Sequence, residues 1–226
     1  GTRYYRSPQK RDIENELIMH KFMVDNFDKW QQKGFIPSMT IEGGFNTNQL
    51  IRERGWKYWH QLFNIRQLFL LGSFIESIIN HAKTPLEWSA GLLGVNKIAD
   101  FNSKLCRWQL DDTHINANTF YNQALNPFFN FSVRTSPGTR EHFYLNSNNK
   151  EMTSNRTVQL VDARTVDSQC DYWITDPPYA DAVNYHELSE FFLAWDKKIL
   201  EKEFKEWYTD SKRALAIKGK GKSFNE

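Results

Sequence analysis

The tetrapeptide Asp176-Pro177-Pro178-Tyr179 follows directly on the short apolar run Tyr172-Trp173-Ile174, and it constrains the chain more than any other stretch. Two consecutive prolines fix φ twice, remove two backbone donors and push the residue before them out of the α region. The apolar run therefore reads as a strand, and the backbone just past its end as stiff and extended. Strand ends are where open α/β sheets place their ligands. The groups available there are one carboxylate and one aromatic ring at a fixed separation, together with the carbonyls of Asp176 and Pro177.

These groups suit a planar base with an exocyclic amino group. The lone pair of such a nitrogen is delocalised into the ring, which makes it a poor nucleophile. If its two hydrogens are accepted by the Asp176 carboxylate and the Pro177 carbonyl, the nitrogen becomes tetrahedral and its lone pair points at an electrophile. The stabilisation grows as positive charge develops, so it acts on the transition state. Tyr179 offers a ring face for stacking, worth roughly 1–3 kcal/mol per base. The tetrapeptide resembles the catalytic motif of the amino-methyltransferases, which transfer a methyl group from S-adenosylmethionine to adenine N6 or cytosine N4. That resemblance implies Asp176, Pro177, Pro178 and Tyr179 as the catalytic set. It also implies an α/β fold, a partial Rossmann-like methyltransferase sheet preceded by a mainly helical insertion. Thr157 to Ala163 reads as a second strand, and the resemblance puts Asp162 and Ala163 in the acidic loop that approaches the adenine of the cofactor. Downstream, Leu188, Phe191, Phe192 and Trp195 recur at i, i+3, i+4 and i+7, which predicts an amphipathic helix ending near Leu200 and packing back on the sheet.

The run from Asp176 to Trp195 is similar to the catalytic segment of the large bacterial DNA methylases that carry an N-terminal domain of unknown function, some of which are associated with anti-phage defence. Arg54 to Phe63, Phe101 to Trp108 and Thr119 to Asn126 are similar to that family too, so the likeness covers most of the chain from about residue 45. One departure stands out. The family's glycine-rich turn, of the form Asp-Pro-Phe-x-Gly-x-Gly, has no counterpart here. Gly43-Gly44 follows Thr40-Ile41-Glu42 with no helix expected after it, and Gly219-Lys220-Gly221 lies at the far end. The chain reads as an internal fragment of a longer protein, with its S-adenosylmethionine site half built.

Residues 1–150 read as a mainly helical region and a possible DNA-recognition insertion, and 151–226 as part of the catalytic domain. Helices are expected over 12–33, stopped by Gly34, over 58–82, broken by Thr84-Pro85, and over 86–100. The polar stretch 101–156 reads as short helix and loop, with Ser147-Asn148-Asn149 as a link. Aromatic residues make up 15% of the 226 residues and include eight Trp, while the net charge is only +2, so a nucleic-acid surface must be local. Two groups fit such a surface. Arg52, Arg54 and Lys57 surround Trp56, Tyr58 and Trp59, and Lys104 and Arg107 adjoin Trp108; basic groups hold phosphates while aromatics stack on unpaired bases. The same Trp and Tyr residues also fit a plain core. Lys218 to Ser223 only superficially resembles a phosphate loop, because Ala216 stands where its first glycine belongs. Lys220 and Lys222 there suit a basic loop on the DNA backbone. The histidines show no metal-ligand spacing, so no metal is expected. Cys106 and Cys170 form no CxxC pair and read as thiols in a reducing compartment. No apolar run reaches membrane-spanning length, which places the protein in the cytoplasm. Two functions of different class follow: a segment of a DNA adenine-N6 methyltransferase acting on a flipped base, or a non-catalytic module that binds nucleic acid or a partner. The same geometry would present the amino group of cytosine, of RNA or of a protein glutamine.

Overall fold

The structure is a computed structural model that describes residues 6–107, 118–121, 124–125, 140–144, 157–159, 161, 165–176 and 183–208. Among the described residues there are five α-helices: α1 (Lys10–Lys33), α2 (Thr47–Arg54), α3 (Ile65–His81), α4 (Pro85–Phe101) and α5 (Tyr185–Glu203). Short 3-10 turns cover Trp59–Leu62 and Arg140–Phe143.

Local chemistry sets most of the helix ends. Helix α1 starts where Asp12 Oδ2 accepts the Gln9 amide at 2.8 Å. It ends at Gly34, whose φ of 78° is the left-handed conformation glycine adopts freely. The stretch expected as one helix over 58–82 is divided. Asn64 Oδ1 accepts from Gln67 N at 2.9 Å while Gln67 Oε1 accepts from Asn64 N at 2.8 Å, a capping box that starts α3 afresh. The residues before it close into the 3-10 turn. Thr84 caps α4 with Pro85 in its first turn, and Glu87 Oε2 accepts the Thr84 and Lys83 amides at 3.1 and 2.6 Å.

Helix α3 packs on both α1 and α4. Close approach there needs small residues: a Cβ on Gly72 would lie 2.7 Å from Trp30 Cε3, and one on Gly91 2.7 Å from Ile78 Cγ1. Helix α5 lies against α4 and the 3-10 turn. Phe191 stacks on Phe63 with ring centroids 5.9 Å apart, and Trp195 meets Phe63 edge-on at 5.1 Å. Trp59, Leu62, Leu71, Ile75, Val95, Ile98, Leu105, Phe120, Phe191 and Trp195 are buried in one continuous core. Each such side chain contributes roughly 1.5–3 kcal/mol by leaving water.

This architecture overturns the expected α/β fold. Among the described residues the strands are a two-residue antiparallel hairpin, β1 (Phe120–Tyr121) with β2 (Ala124–Leu125), and a single bridge joins Thr40 to Tyr58. There is no parallel pair and no Rossmann-like sheet among them. Residues 157–159, 161 and 172–176, the expected strand positions, are irregular and exposed. Tyr172 is 86% and Ile174 96% exposed. The reason is physical: β-branched and aromatic residues form strands when a neighbouring strand takes their backbone bonds and a packed face takes their side chains. Among the described residues neither meets these runs. Helix α5, expected on a sheet, packs on helices instead.

Candidate functional site

Asp176 ends the described part of the exposed run, in irregular structure with its side chain in solvent. Pro177, Pro178 and Tyr179 lie outside the described residues, as do Asp162, Ala163, Lys220 and Lys222 and the Ser147–Asn149 link. Val183 and Asn184, both buried, precede α5.

The first turn of α5 is anchored by a contact that the sequence reading missed. Glu187 is 3% exposed, and its carboxylate sits on the N-terminus of α2. Asn46 N donates to both carboxylate oxygens at 3.1 Å, Asn46 Nδ2 donates to Oε2 at 2.7 Å, and Thr47 N donates to Oε1 at 3.4 Å. Thr47 Oγ1 lies 3.2 Å from Oε1 and 2.6 Å from Glu42 O, sharing its one proton between them. Asn46 itself makes no side-chain cap. A residue far along the chain therefore satisfies the amides that open α2, with the charge sign the helix dipole favours. Gly44 makes room for it: a Cβ there would overlap Glu187 Oε1 and lie 2.8 Å from Cδ. A helix does follow Gly43-Gly44, contrary to expectation, and the glycine turn cradles the protein's own carboxylate. One signal for this was in the sequence. Glu187 stands four residues before Phe191 and eight before Trp195, on the face that α5 buries.

The loop is closed from the other side. Ile41 N donates to Lys57 O at 2.8 Å and Trp59 N to Met39 O at 3.1 Å, which holds the chain on either side of α2 together. The expected DNA-contacting residues are distributed around this loop. Arg52 and Arg54 are exposed on the last turn of α2, Arg52 beside Glu53 at 3.1 Å, and Lys57 is exposed just beyond. Lys104 is half-buried. Its Nζ donates to Gln61 O at 2.8 Å and lies 5.3 Å from the Trp56 ring, and burial holds its pKa below the usual lysine value. It serves as an internal strut. Arg107 is partly exposed. Trp56 and Trp59 are buried in the core, so neither offers a free ring face to a base; Tyr58 remains partly open.

His60 packs edge-on against Phe27 at 5.1 Å with Nδ1 3.2 Å from Pro37 O, and burial lowers its pKa. No group of three or more His, Cys, Asp or Glu side chains among the described residues is placed to hold a metal ion. Cys106 is buried with Ser103 and Thr119, whose hydroxyls lie 2.6 Å apart, and burial pushes its thiol pKa up. Cys170 is exposed. No described helix is long and apolar enough to cross a membrane. For S-adenosylmethionine the described residues build no cradle, because the one glycine pair placed ahead of a helix is filled by Glu187. No family model, curated protein or solved structure matches the chain.

Proposed function

We propose that this chain carries the amino-acceptor segment of a cytoplasmic DNA adenine-N6 methyltransferase and takes part in restriction-modification or anti-phage defence. The observation that carries this reading is an exposed carboxylate, Asp176, at the end of an exposed apolar run, followed by Pro-Pro-Tyr and then by a helix locked into the core. A flipped adenine has its amino hydrogens accepted by the Asp176 carboxylate and the Pro177 carbonyl, and its ring stacks on Tyr179. S-adenosylmethionine, when bound, supplies the methyl group. On the family resemblance, Asp162 and Ala163 approach its adenine. Arg52, Arg54 and Lys57 hold the DNA backbone.

The second reading, a binding module without transfer activity, is favoured for this chain by itself by the Glu187 carboxylate on the Gly43-Gly44 turn. One experiment addresses both: tritium transfer from S-adenosylmethionine to duplex DNA, measured on this chain and on the full-length protein containing it. The chain alone is expected to be inactive. In the full-length protein, Asp176→Ala is expected to slow single-turnover transfer roughly a hundredfold, about 3 kcal/mol, with DNA and cofactor affinity retained. Transfer at the parent rate by Asp176→Ala, or no transfer by the full-length protein, refutes the catalytic reading.

A further inference from the structure

Helix α1 has two apolar faces, and only one of them is covered. Phe22, Met23 and Trp30 turn toward the core, where Met23 and Trp30 are buried and Phe22 meets Phe69 of α3 edge-on at 5.3 Å. The other face carries Ile13, Leu17 and Val24, with Ile18 at its margin. These side chains are 55%, 66%, 66% and 66% exposed respectively. Spacings of four and seven put Ile13, Leu17 and Val24 in one row along the helix, the spacing of a coiled-coil seam. Single exposed apolar residues are ordinary on a protein surface, whereas a row in register with the helix marks a contact.

The charges beside the row indicate what covers it. Lys10, Arg11 and Glu14 lie ahead of Ile18, and Lys21, Asp25 and Asp28 beyond it, all exposed and all flanking the row on the side of Ile18. Read backwards, the series has the opposite signs: Lys10 answers to Asp28, Arg11 to Asp25 and Glu14 to Lys21. Each of these couples is centred close to position 18, and so is the couple of Ile13 with Val24. A second copy laid antiparallel on the helix, about a two-fold axis near Ile18, therefore meets opposite charge at every one of these positions. A parallel copy would set each charge against its like. Asp12 and Glu16 point away from the row and are paired with Arg6 and Arg66 at 2.9 and 2.5 Å. Lys10 and Glu14 approach at 3.7 Å across one turn, a loose pair with the lysine side chain 91% exposed, so both remain open to a partner. Three acids among the six flanking charges fit an anionic membrane or a nucleic-acid backbone poorly.

We propose that α1 is a self-association surface, through which two copies of the chain pair as antiparallel helices, with Ile13 on the partner's Val24 and Glu14 on the partner's Lys21. The apolar row supplies the contact and the charges set its direction. The contact is one helix wide, at the small end of specific interfaces, so a dissociation constant on the order of ten micromolar is expected. The surface is separate from the Asp176 segment and does not depend on the methyl-transfer reading.

Sedimentation equilibrium of the whole chain, from low micromolar to submillimolar concentration, tests the proposal, with reductant present to keep the exposed Cys170 from linking copies. A monomer–dimer equilibrium is expected. Leu17→Glu, at an exposed position that the fold does not use, should remain monomeric with unchanged helical circular dichroism. Glu14→Lys and Lys21→Glu shift the net charge in opposite directions, yet each should weaken the dimer about tenfold by placing like charges together twice. The two changes combined in one chain should restore it. A chain that stays monomeric at submillimolar concentration overturns the proposal and leaves the row to a different protein. A dimer that persists in Leu17→Glu overturns it too, as does failure of the combined exchange to recover what the single changes lose.

Discussion

The contact between Glu187 and the α2 turn can be tested by a double-mutant cycle. Glu187→Ala removes the acceptor for the Asn46 amide, the Asn46 side-chain amide and the Thr47 amide. Hydrogen bonds to a charged group contribute about 1.5–3 kcal/mol each, and donors left buried without a partner cost about 1–3 kcal/mol. Some of these groups will regain water, because the surroundings are only part-buried, so a loss of about 3–4 kcal/mol is expected. Gly44→Ala should reach nearly the same value by another route, since its methyl group occupies the space of Glu187 Oε1 and forces the carboxylate off the turn. Gly44 has no left-handed φ to strain an alanine, so the cost comes from the clash. In the Glu187→Ala background the obstacle is gone, and Gly44→Ala should cost less than about 1 kcal/mol there. Urea unfolding of the four proteins, with circular dichroism and tryptophan fluorescence checked for coincidence, gives the coupling energy. Additive costs, or a Gly44→Ala variant as stable as the parent, would show that the carboxylate does not hold the turn.

Asp196 has a folded-state pKa raised from its ordinary 3.8 to about 7, so the native state binds the extra proton between those values. Stability should therefore fall as pH rises from about 4 to 7, by at most about 4 kcal/mol, and Asp196→Asn should flatten that slope; an unchanged slope in urea unfolding at pH 5 and 8 would rule it out. Trp59→Ala should cost about 3–5 kcal/mol by opening a cavity in the core, and a loss under about 1 kcal/mol would mean the site is not packed as described. An aromatic disulfide reagent should label one thiol quickly in the native protein, Cys170, leaving Cys106 until unfolding. Rapid labelling of Cys170→Ser would show that Cys106 is accessible.

Where the sequence carried its own stop signals, the fold was legible. Gly34 ends α1, and Thr84-Pro85 separates α3 from α4, because caps and prolines act on their own neighbourhood. Asn64 was an equally local signal for the division before α3, yet the apolar residues on both sides of it suggested one unbroken helix. Helix α2 was harder to read. Within Thr47 to Arg54 only Leu50 and Ile51 are apolar, and the carboxylate that satisfies its first amides comes from a distant part of the chain. The strands failed for the opposite reason. Tyr172-Trp173-Ile174 has strong β character, but a strand is a property of a pair, and among the described residues no strand pairs with this run. Of the candidate site, Arg52 and Arg54 were legible as basic residues and lie exposed on α2, while Pro177, Pro178 and Tyr179 lie outside the described residues. That Trp56 and Trp59 are core residues, and Lys104 a strut between Trp56 and Gln61, required three-dimensional packing to see.

Two buried acids, one in its first turn and one near its middle, fix α5. Glu187 joins its first turn to α2, and Asp196, about two and a half turns later, joins it to Asn96 of α4. Apolar contacts among Phe63, Phe191 and Trp195 hold the helix against the core but tolerate rotation and sliding, because one aromatic face can replace another. Directional bonds at two separated points do not. Rotating α5 by one residue, about 100°, would move both acids away from their partners and leave them buried and unpaired. Specific placement of the helix is what such costly groups can contribute. Replacing Asp196 by Leu should then raise stability at pH 8 while loosening the packing of α5, seen as broadened amide resonances from Asn184 to Trp195. Sharp, unshifted resonances in that variant would show that apolar packing alone sets the register.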